Sequence, residues 1–135
     1  MIEVVNRQRG RRIATEPWVS RTKTMLDAMG KSDSSVTIAF VSDRKIRELN
    51  SQFRGIDKST DVLSFPADDR SLNLGDIAIS AETASRQAKE NGLTLKGEIA
   101  QLILHGLLHL SGYDHETDSG EMNRLELRLR KKLGI

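Results

Sequence analysis

The chain has 135 residues, of which 37% are hydrophobic, and it contains no cysteine. This length and apolar content suit one domain over residues 1–135, with a real core and little room for a second domain. The lack of cysteine excludes disulfides and all thiolate zinc sites, and Lys+Arg 21 against Asp+Glu 19 leaves a net charge of only +2, which is weak evidence for a polyanionic partner.

In the first half of the chain, strands and helices alternate with short connections. Apolar residues recur at helical spacing through the segment that ends before Gly30. Ile46, Leu49 and Phe53 share one face of a second helix. The predicted elements are a strand over 2–6, a helix over 17–29, a strand over 35–41, and a helix that starts at Ser42 or Asp43 and ends before Gly55.

The second half of the chain contains two further strands, which are followed by helices. Ser80 can cap the first of these helices, and the helix that ends at Leu110 is so rich in apolar residues that we expect it to be central and buried. The predicted elements are strands over 62–66 and 76–80 and helices over 81–91, 94–110 and 119–133. This order predicts a single-domain α+β fold with a mixed four-stranded sheet and about five helices.

The N-terminal residues lack the basic-then-apolar order of a secretory signal, and no apolar stretch approaches the length of a membrane span. We therefore expect a soluble cytoplasmic protein that does not contact a membrane. The sequence leaves the oligomeric state open.

All three histidines of the chain fall within one segment, His105-Gly-Leu-Leu-His109-Leu-Ser-Gly112-Tyr-Asp-His115. Residues four apart lie on one face of a helix, so His105 and His109 can present nitrogens to a common point. Gly112 can end the helix, and the turn after it can return His115 to that point. Three nitrogen ligands with one open position are typical of catalytic zinc, so we predict one zinc ion per chain at these histidines. Imidazole also binds nickel, copper and iron, and zinc is the first choice among them.

The histidine spacing is also that of the extended zincin signature H-E-x-x-H-x-x-G-x-x-H. A zinc peptidase carries a glutamate as general base after the first histidine, and this chain carries Gly106 there. Glycine cannot accept a proton from the attacking water, which makes peptide hydrolysis the less favoured chemistry.

A polar loop with two cations, Arg54 and Lys58, precedes the strand over 62–66. The planar guanidinium of Arg54 could grip a phosphate or stabilise charge that develops on one. It could equally form a structural ion pair with Asp57 or Asp61, and the local sequence does not separate the two interpretations.

The histidine segment and this loop together resemble the YbeY family of ribosomal RNA maturation endoribonucleases, whose signature is H-G-x-L-H-L-x-G-Y-D-H. Every fixed position of that signature is present between His105 and His115. The likeness covers residues 50–126, and its other matches are Asn50, Phe53-Arg54, Asp57, Thr60, Val62-Leu-Ser-Phe-Pro66, Leu74-Gly-Asp-Ile77, Met122 and Glu126.

The resemblance implies a fold in which His105, His109 and His115 bind zinc and Arg54 serves catalysis or RNA binding. It further implies a single-strand-specific endoribonuclease that acts in 3′-end maturation of 16S ribosomal RNA and in ribosome quality control, with the small ribosomal subunit as partner. On this basis we assign catalysis to Arg54 and His109 and substrate binding to Arg54 and Lys58.

Several points of the chemistry stay open at this level. Asp114, Asp61 or Glu98 could act as general base or could orient a histidine. Attack could come from metal-activated water or from the 2′-hydroxyl of the RNA itself. A metal-dependent hydrolase of another substrate, including a peptidase, and a ribosome-assembly factor with structural zinc are the alternative functions.

Overall fold

A computed structural model describes residues 1–68, 72–114 and 118–135 of the chain. Its elements are, in chain order, β1 (Ile2–Asn6), α1 (Glu16–Ala28), β2 (Ser35–Val41), α2 (Asp43–Arg54), β3 (Val62–Pro66), β4 (Asn73–Ser80), α3 (Ala81–Glu90), α4 (Leu95–Leu110) and α5 (Glu121–Leu133). Within these ranges, no helix is long and apolar enough to cross a membrane.

Side-chain caps explain why three of the helices begin where they do. The hydroxyl oxygens of Ser42, Ser80 and Thr94 each accept a hydrogen bond from a backbone N–H in the first turn of α2, α3 and α4. At the other end of α2, Gly55 takes a left-handed conformation, with φ of 69°. The predicted starts of α2 and α3 and the predicted end of α2 are therefore confirmed.

The four strands form one sheet in the order β1-β2-β4-β3. Strands β1, β2 and β4 run parallel to one another, and β3 pairs antiparallel with β4 at the edge of the sheet. The predicted mixed four-stranded sheet and five helices are confirmed. The strand predicted over 76–80 starts earlier, at Asn73, because Asn73 and Gly75 pair with neighbouring strands although neither residue type favours a strand.

The two faces of the sheet are covered unequally. The main core forms on one face, where side chains of β2 and β4 such as Phe40 and Ile79 pack against α1, α4 and α5. On the other face α2 packs through a small cluster of Val41, Ile46, Leu63 and Ala78. Because α4 passes through the main core with most of its residues buried, its C-terminal turns are held firmly against β3 and β4.

Candidate active site

Two of the three predicted metal ligands lie at the C-terminal end of α4. The rings of His105 and His109 meet edge to face with centroids 4.6 Å apart, and their Nε2 atoms are 3.1 Å apart. The helical spacing therefore brings the two nitrogens to one point, as predicted. His115 lies outside the residues that the structure describes, so its role as third ligand stays a prediction.

A hydrogen-bond partner orients each ring through the nitrogen that faces away from this point. His109 Nδ1 is 3.0 Å from the carbonyl oxygen of Tyr113, and His105 Nδ1 is 2.8 Å from Glu126 Oε1 on α5. A carbonyl oxygen can only accept, so the Nδ1 of His109 carries the hydrogen. An ionised Glu126 places the hydrogen of His105 on Nδ1 in the same way.

This arrangement fits a metal ion. With both Nδ1 atoms acting as donors, the neutral rings direct two Nε2 lone pairs at each other across 3.1 Å, and a shared cation relieves that repulsion. Two nitrogens that bind one zinc ion tetrahedrally at its usual bond length are about 3.3 Å apart. Within residues 1–68, 72–114 and 118–135, no group of three His, Cys, Asp or Glu side chains is placed to hold a metal ion.

Glu126 is a site residue that sequence reasoning did not assign. Its side chain is 7% exposed, and its second oxygen, Oε2, accepts a hydrogen bond of 2.5 Å from Arg130. Burial raises the pKa of Glu126, but hydrogen bonds from His105 and Arg130 and the positive charge of Arg130 outweigh burial and hold this pKa below its ordinary value. A signal was present in the sequence, because this carboxylate interrupts the buried stripe of α5 between Met122 and Leu129.

The predicted helix stop at Gly112 is confirmed, while the predicted return of His115 lies outside the described residues. The helix ends at Leu110, Gly112 takes a φ of 100°, and the N–H of Tyr113 donates to the carbonyl of Leu108. This closure brings the Tyr113 carbonyl to His109, which makes the glycine stop part of the histidine geometry.

Arg54 is the last residue of α2, and its guanidinium reaches the edge strand rather than an acid. Nη2 donates to the carbonyl of Ser64 on β3 over 3.1 Å. Asp57 instead pairs with Arg47, which donates two hydrogen bonds of 2.8 and 3.1 Å to its carboxylate. No ion pair found in the described part of the chain includes Arg54. The alternative in which Arg54 pairs with Asp57 is therefore wrong.

One cavity of about 550 Å³ brings the predicted catalytic residues together. Its lining includes Arg54, His105 and His109, with Asp61 and Asp114 as carboxylates among its described residues. These groups come from α2, α4, the start of β3 and the turn after α4, so only the fold could unite them. Lys58 is exposed and is not among the residues that line this cavity.

The structure shows a steric reason for a glycine at position 106, in addition to its effect on the chemistry. A Cβ at this position would lie 2.9 Å from Ile77 Cδ1 and 3.2 Å from both Ile77 Cγ2 and Ser64 Oγ. α4 therefore packs so closely on β3 and β4 that the glutamate of a zinc peptidase has no space here.

A second, polar cavity of about 370 Å³ shares His105 and Asp61 with the first. With its amide nitrogen turned to the acids, Gln87 donates to both Asp61 Oδ2 and Glu98 Oε2 over 3.2 Å. Asp61 Oδ1 accepts from the N–H of Val62 at 2.7 Å, and Glu98 lines only this second cavity. Of the three acids considered from sequence, Asp61 and Asp114 therefore lie with Arg54, and Glu98 does not.

Comparisons with known proteins identify the family to which this chain is similar. The family model described as Endoribonuclease YbeY matches residues 3–134. A relative named Endoribonuclease YbeY from Nautilia profundicola is 50% identical over 105 residues, which span 77% of this chain and 76% of the relative. The protein of the same name from Persephonella marina is 40% identical over 124 residues, or 87% of this chain and 81% of that one.

A solved structure has the same fold. The solution structure of TM1509 from Thermotoga maritima superimposes with a TM-score of 0.67 and 30% sequence identity. The match covers 98% of this chain and 89% of that one.

Proposed function

Because the chain belongs to the YbeY family of endoribonucleases, we propose that it is a zinc-dependent enzyme that cleaves single-stranded RNA. We place its work in 3′-end maturation of 16S ribosomal RNA and in ribosome quality control, in the cytoplasm and at the small ribosomal subunit. The observation that carries the chemistry is the shared cavity, whose lining joins a pair of oriented histidines to Arg54, an arginine that forms no ion pair among the described residues.

Arg54 supplies the phosphate contact in this proposal. Its hydrogen bond to the Ser64 carbonyl fixes the guanidinium with one donor and leaves the others for a ligand. A phosphodiester gains negative charge on its equatorial oxygens during cleavage, and a fixed cation beside them stabilises the transition state more than the ground state. Asp57 pairs with Arg47, and no ion pair found among the described residues includes Arg54, so its guanidinium can pair with a phosphate.

His105 and His109, with His115 as the predicted third ligand, would hold the metal. When bound, the ion would polarise a phosphoryl oxygen or lower the pKa of a bound water. The residues of the chain prepare this site by fixing both imidazoles as Nδ1 donors, so that neither ring needs to change tautomer to bind a cation.

The proton acceptor is limited to the acids of the same cavity. Asp61 and Asp114 both line it, whereas Glu98 faces the neighbouring cavity only. Asp61 is held by the Val62 N–H and by the hydroxyl of Thr60, 3.3 Å away, which keeps one oxygen fixed at the start of β3. Lys58, exposed on the preceding loop, remains a candidate for contact with RNA beyond the cavity.

The test is cleavage of a single-stranded RNA by purified Arg54→Ala and Arg54→Lys proteins. We expect Arg54→Ala to lower kcat by about 100- to 1,000-fold, the usual loss for one preorganised charge-stabilising donor. Arg54→Lys should recover only part of this loss, because an ammonium ion lacks the planar fork.

Arg47→Ala is the matched control, because Arg47 lies on the same helix and its charge is already taken by Asp57. It should cleave RNA at nearly the wild-type rate. Equal cleavage by wild type and folded Arg54→Ala would reject the assignment of Arg54.

A further inference from the structure

The aromatic residues of the chain are few and are distributed unevenly with respect to the solvent. There are five, and Trp18 and Phe40 are buried in the main core while Phe65 is half-buried. The other two are exposed: Phe53 by 59% and Tyr113 by 37%. Tyr113 lines the Arg54 cavity, and Phe53, which precedes Arg54 in the chain, lines a neighbouring groove.

Phe53 is exposed because α2 continues beyond the apolar cluster that it covers. Ile46 is fully buried on the same helix face and Leu49 is partly buried, whereas Phe53 extends past the cluster into solvent. Burying a phenylalanine stabilises a fold, and Phe53, which is mostly exposed, gains only part of that stabilisation. The sequence pattern placed Phe53 on the apolar face of α2, and only the structure reveals that the ring is not covered.

The ring is nevertheless held in place. It meets Phe65 of β3 edge to face, with centroids 5.3 Å apart and an angle of 67° between the planes. Phe65 itself packs against the small cluster under α2. An exposed aromatic ring with a fixed orientation is a suitable platform for a flat ligand.

The surface around this ring suits a base better than a phosphate. Phe53 and Phe65 line a largely apolar groove of about 790 Å³ on the outer face of the sheet. The charges of the groove balance, with Arg7 and Lys45 against Glu3 and Asp76. A balanced, apolar groove gives little attraction to a polyanionic backbone by itself, so the attraction must come from stacking and from the adjacent Arg54.

The groove and the cavity share no lining residue within the described part of the chain, but they lie beside each other at the edge strand β3, which contributes Phe65 to the groove and Ser64 to the cavity. Phe53 and Arg54 are consecutive residues, and Phe65 follows Ser64, whose carbonyl holds Arg54. Consecutive Cα atoms are about 3.8 Å apart, which is less than the reach of one nucleotide. A strand whose phosphate lies on Arg54 can therefore place a neighbouring base on Phe53.

We propose that Phe53, braced by Phe65, stacks on a nucleobase of single-stranded RNA next to the phosphate that Arg54 binds, and that Tyr113 provides a second aromatic surface inside the cavity. The inference rests on the proposed RNA-cleaving function and deepens it. It gives the single-strand requirement a physical cause, because bases in a duplex already stack on their neighbours and offer no free face. A base stacked on an aromatic side chain contributes affinity without reading sequence.

Tryptophan fluorescence tests the stacking directly and does not depend on cleavage. The chain has one tryptophan, Trp18, which is 4% exposed, so the wild type supplies the background signal for Phe53→Trp. We expect a single-stranded RNA octamer to quench the added tryptophan in a saturable way. An octamer of abasic ribose phosphates, which keeps the backbone charge, should not quench it.

The control reporter is Leu127→Trp, because Leu127 is exposed by 54% on α5, away from the groove. Its fluorescence should not follow the saturation curve of Phe53→Trp. Absence of quenching at position 53, or equal quenching by the abasic octamer, overturns the proposal.

Affinity and kinetics supply the second measurement. Phe53→Ala should raise the Kd and KM for single-stranded RNA by about 5- to 150-fold, the range for loss of one stacked base, and should change kcat much less. Phe53→Tyr should restore wild-type affinity, whereas Phe53→Leu, which keeps apolar volume without a ring, should not. Leu127→Ala is the matched loss of an exposed apolar side chain and should leave KM unchanged.

These results separate the stacking proposal from the proposed function. If wild type cleaves RNA and Phe53→Ala has the same KM, the stacking proposal fails and the enzyme assignment stands. If wild type neither binds nor cleaves single-stranded RNA, the enzyme assignment itself fails.

Discussion

Single side chains on α4 and α5 determine which reaction the histidines of α4 can support. At Gly106 the missing side chain removes the general base of a zinc peptidase, and it also lets α4 approach β4 to within contact of Ile77. The same position thus excludes one chemistry and permits the packing that aims His105 into the cavity. At Glu126 the reverse holds, because a buried charge is retained where an apolar residue would pack equally well, and its partner is a histidine of the site.

Gly106→Ala tests the close packing of α4. The new methyl group would lie 2.9 Å from a side-chain carbon of Ile77, so the strand or the helix must shift. We expect a loss of about 1–3 kcal/mol in the free energy of unfolding, measured by urea denaturation. Gly10→Ala, where the nearest atom to the added carbon is 3.7 Å away, is the control and should be close to neutral. A Gly106→Ala protein as stable as wild type would show that the contact does not constrain the helix.

Glu126→Gln tests the orientation of His105. A glutamine keeps the size of the side chain but loses the charge that fixes the hydrogen on His105 Nδ1, so the affinity for zinc should fall by about 10- to 100-fold. Competition with a chelating dye measures this affinity without reference to activity. Glu90→Gln is the control, because Glu90 lines the same second cavity but is exposed. Equal affinities for wild type and Glu126→Gln would contradict the orienting role.

The elements of the chain differ in how far sequence alone predicts them. Strands β2 and β3 have the predicted bounds, because their apolar alternation and the flanking polar residues are local signals. The sequence does not predict the start of β4 at Asn73, because its first residues form a strand only by pairing with the neighbouring strands. Likewise, helical spacing predicts the histidine pair, but the contact between His105 and Glu126 joins two helices and depends on how they pack.

A network of hydrogen bonds at the N-termini of α2 and α3 ties together the elements around the site. Asp43 accepts hydrogen bonds from the hydroxyls of Ser80 and Thr83 through Oδ1, and from Arg86 over 2.9 Å through Oδ2. Its backbone N–H donates to Glu82. Because α2 carries Phe53 and Arg54 at its other end, this network sets the position of both.

Asp43→Asn tests the contribution of this network and its dependence on pH. Burial raises the pKa of Asp43, but the hydrogen bonds from Ser80, Thr83 and Arg86 outweigh it, so the folded pKa lies below its ordinary value. A depressed folded pKa stabilises the protein above the unfolded pKa, near pH 4, and the effect is lost as the pH falls through the folded pKa. Wild type should therefore exceed Asp43→Asn by about 1–2 kcal/mol at neutral pH, and the gap should narrow below about pH 4.

Urea denaturation at several pH values measures the gap, and Asp33→Asn, on an exposed loop, is the control. A gap that stays constant from neutral to acid pH would contradict the ionic role of Asp43.

At the scale of the whole molecule, the fold combines a packed core around α4 with an exposed sheet edge at β3. α4 fixes the two histidines inside the main core, and α5 closes over it with Glu126. Arg54 and Phe53 approach from the other face of the sheet, past its edge strand β3. The substrate is therefore expected to cross the sheet edge, where a flexible single strand can bend and a duplex cannot.

The most direct test is the rate of single-stranded RNA cleavage by protein freed of metal with a chelator, measured as zinc is returned. We expect negligible cleavage by the metal-free protein and recovery that is complete at about one equivalent of zinc per chain. His109→Ala should not recover, because it lacks one of the two nitrogens that meet at 3.1 Å. Cleavage at the full rate by protein shown by metal analysis to be metal-free would contradict a metal-dependent endoribonuclease.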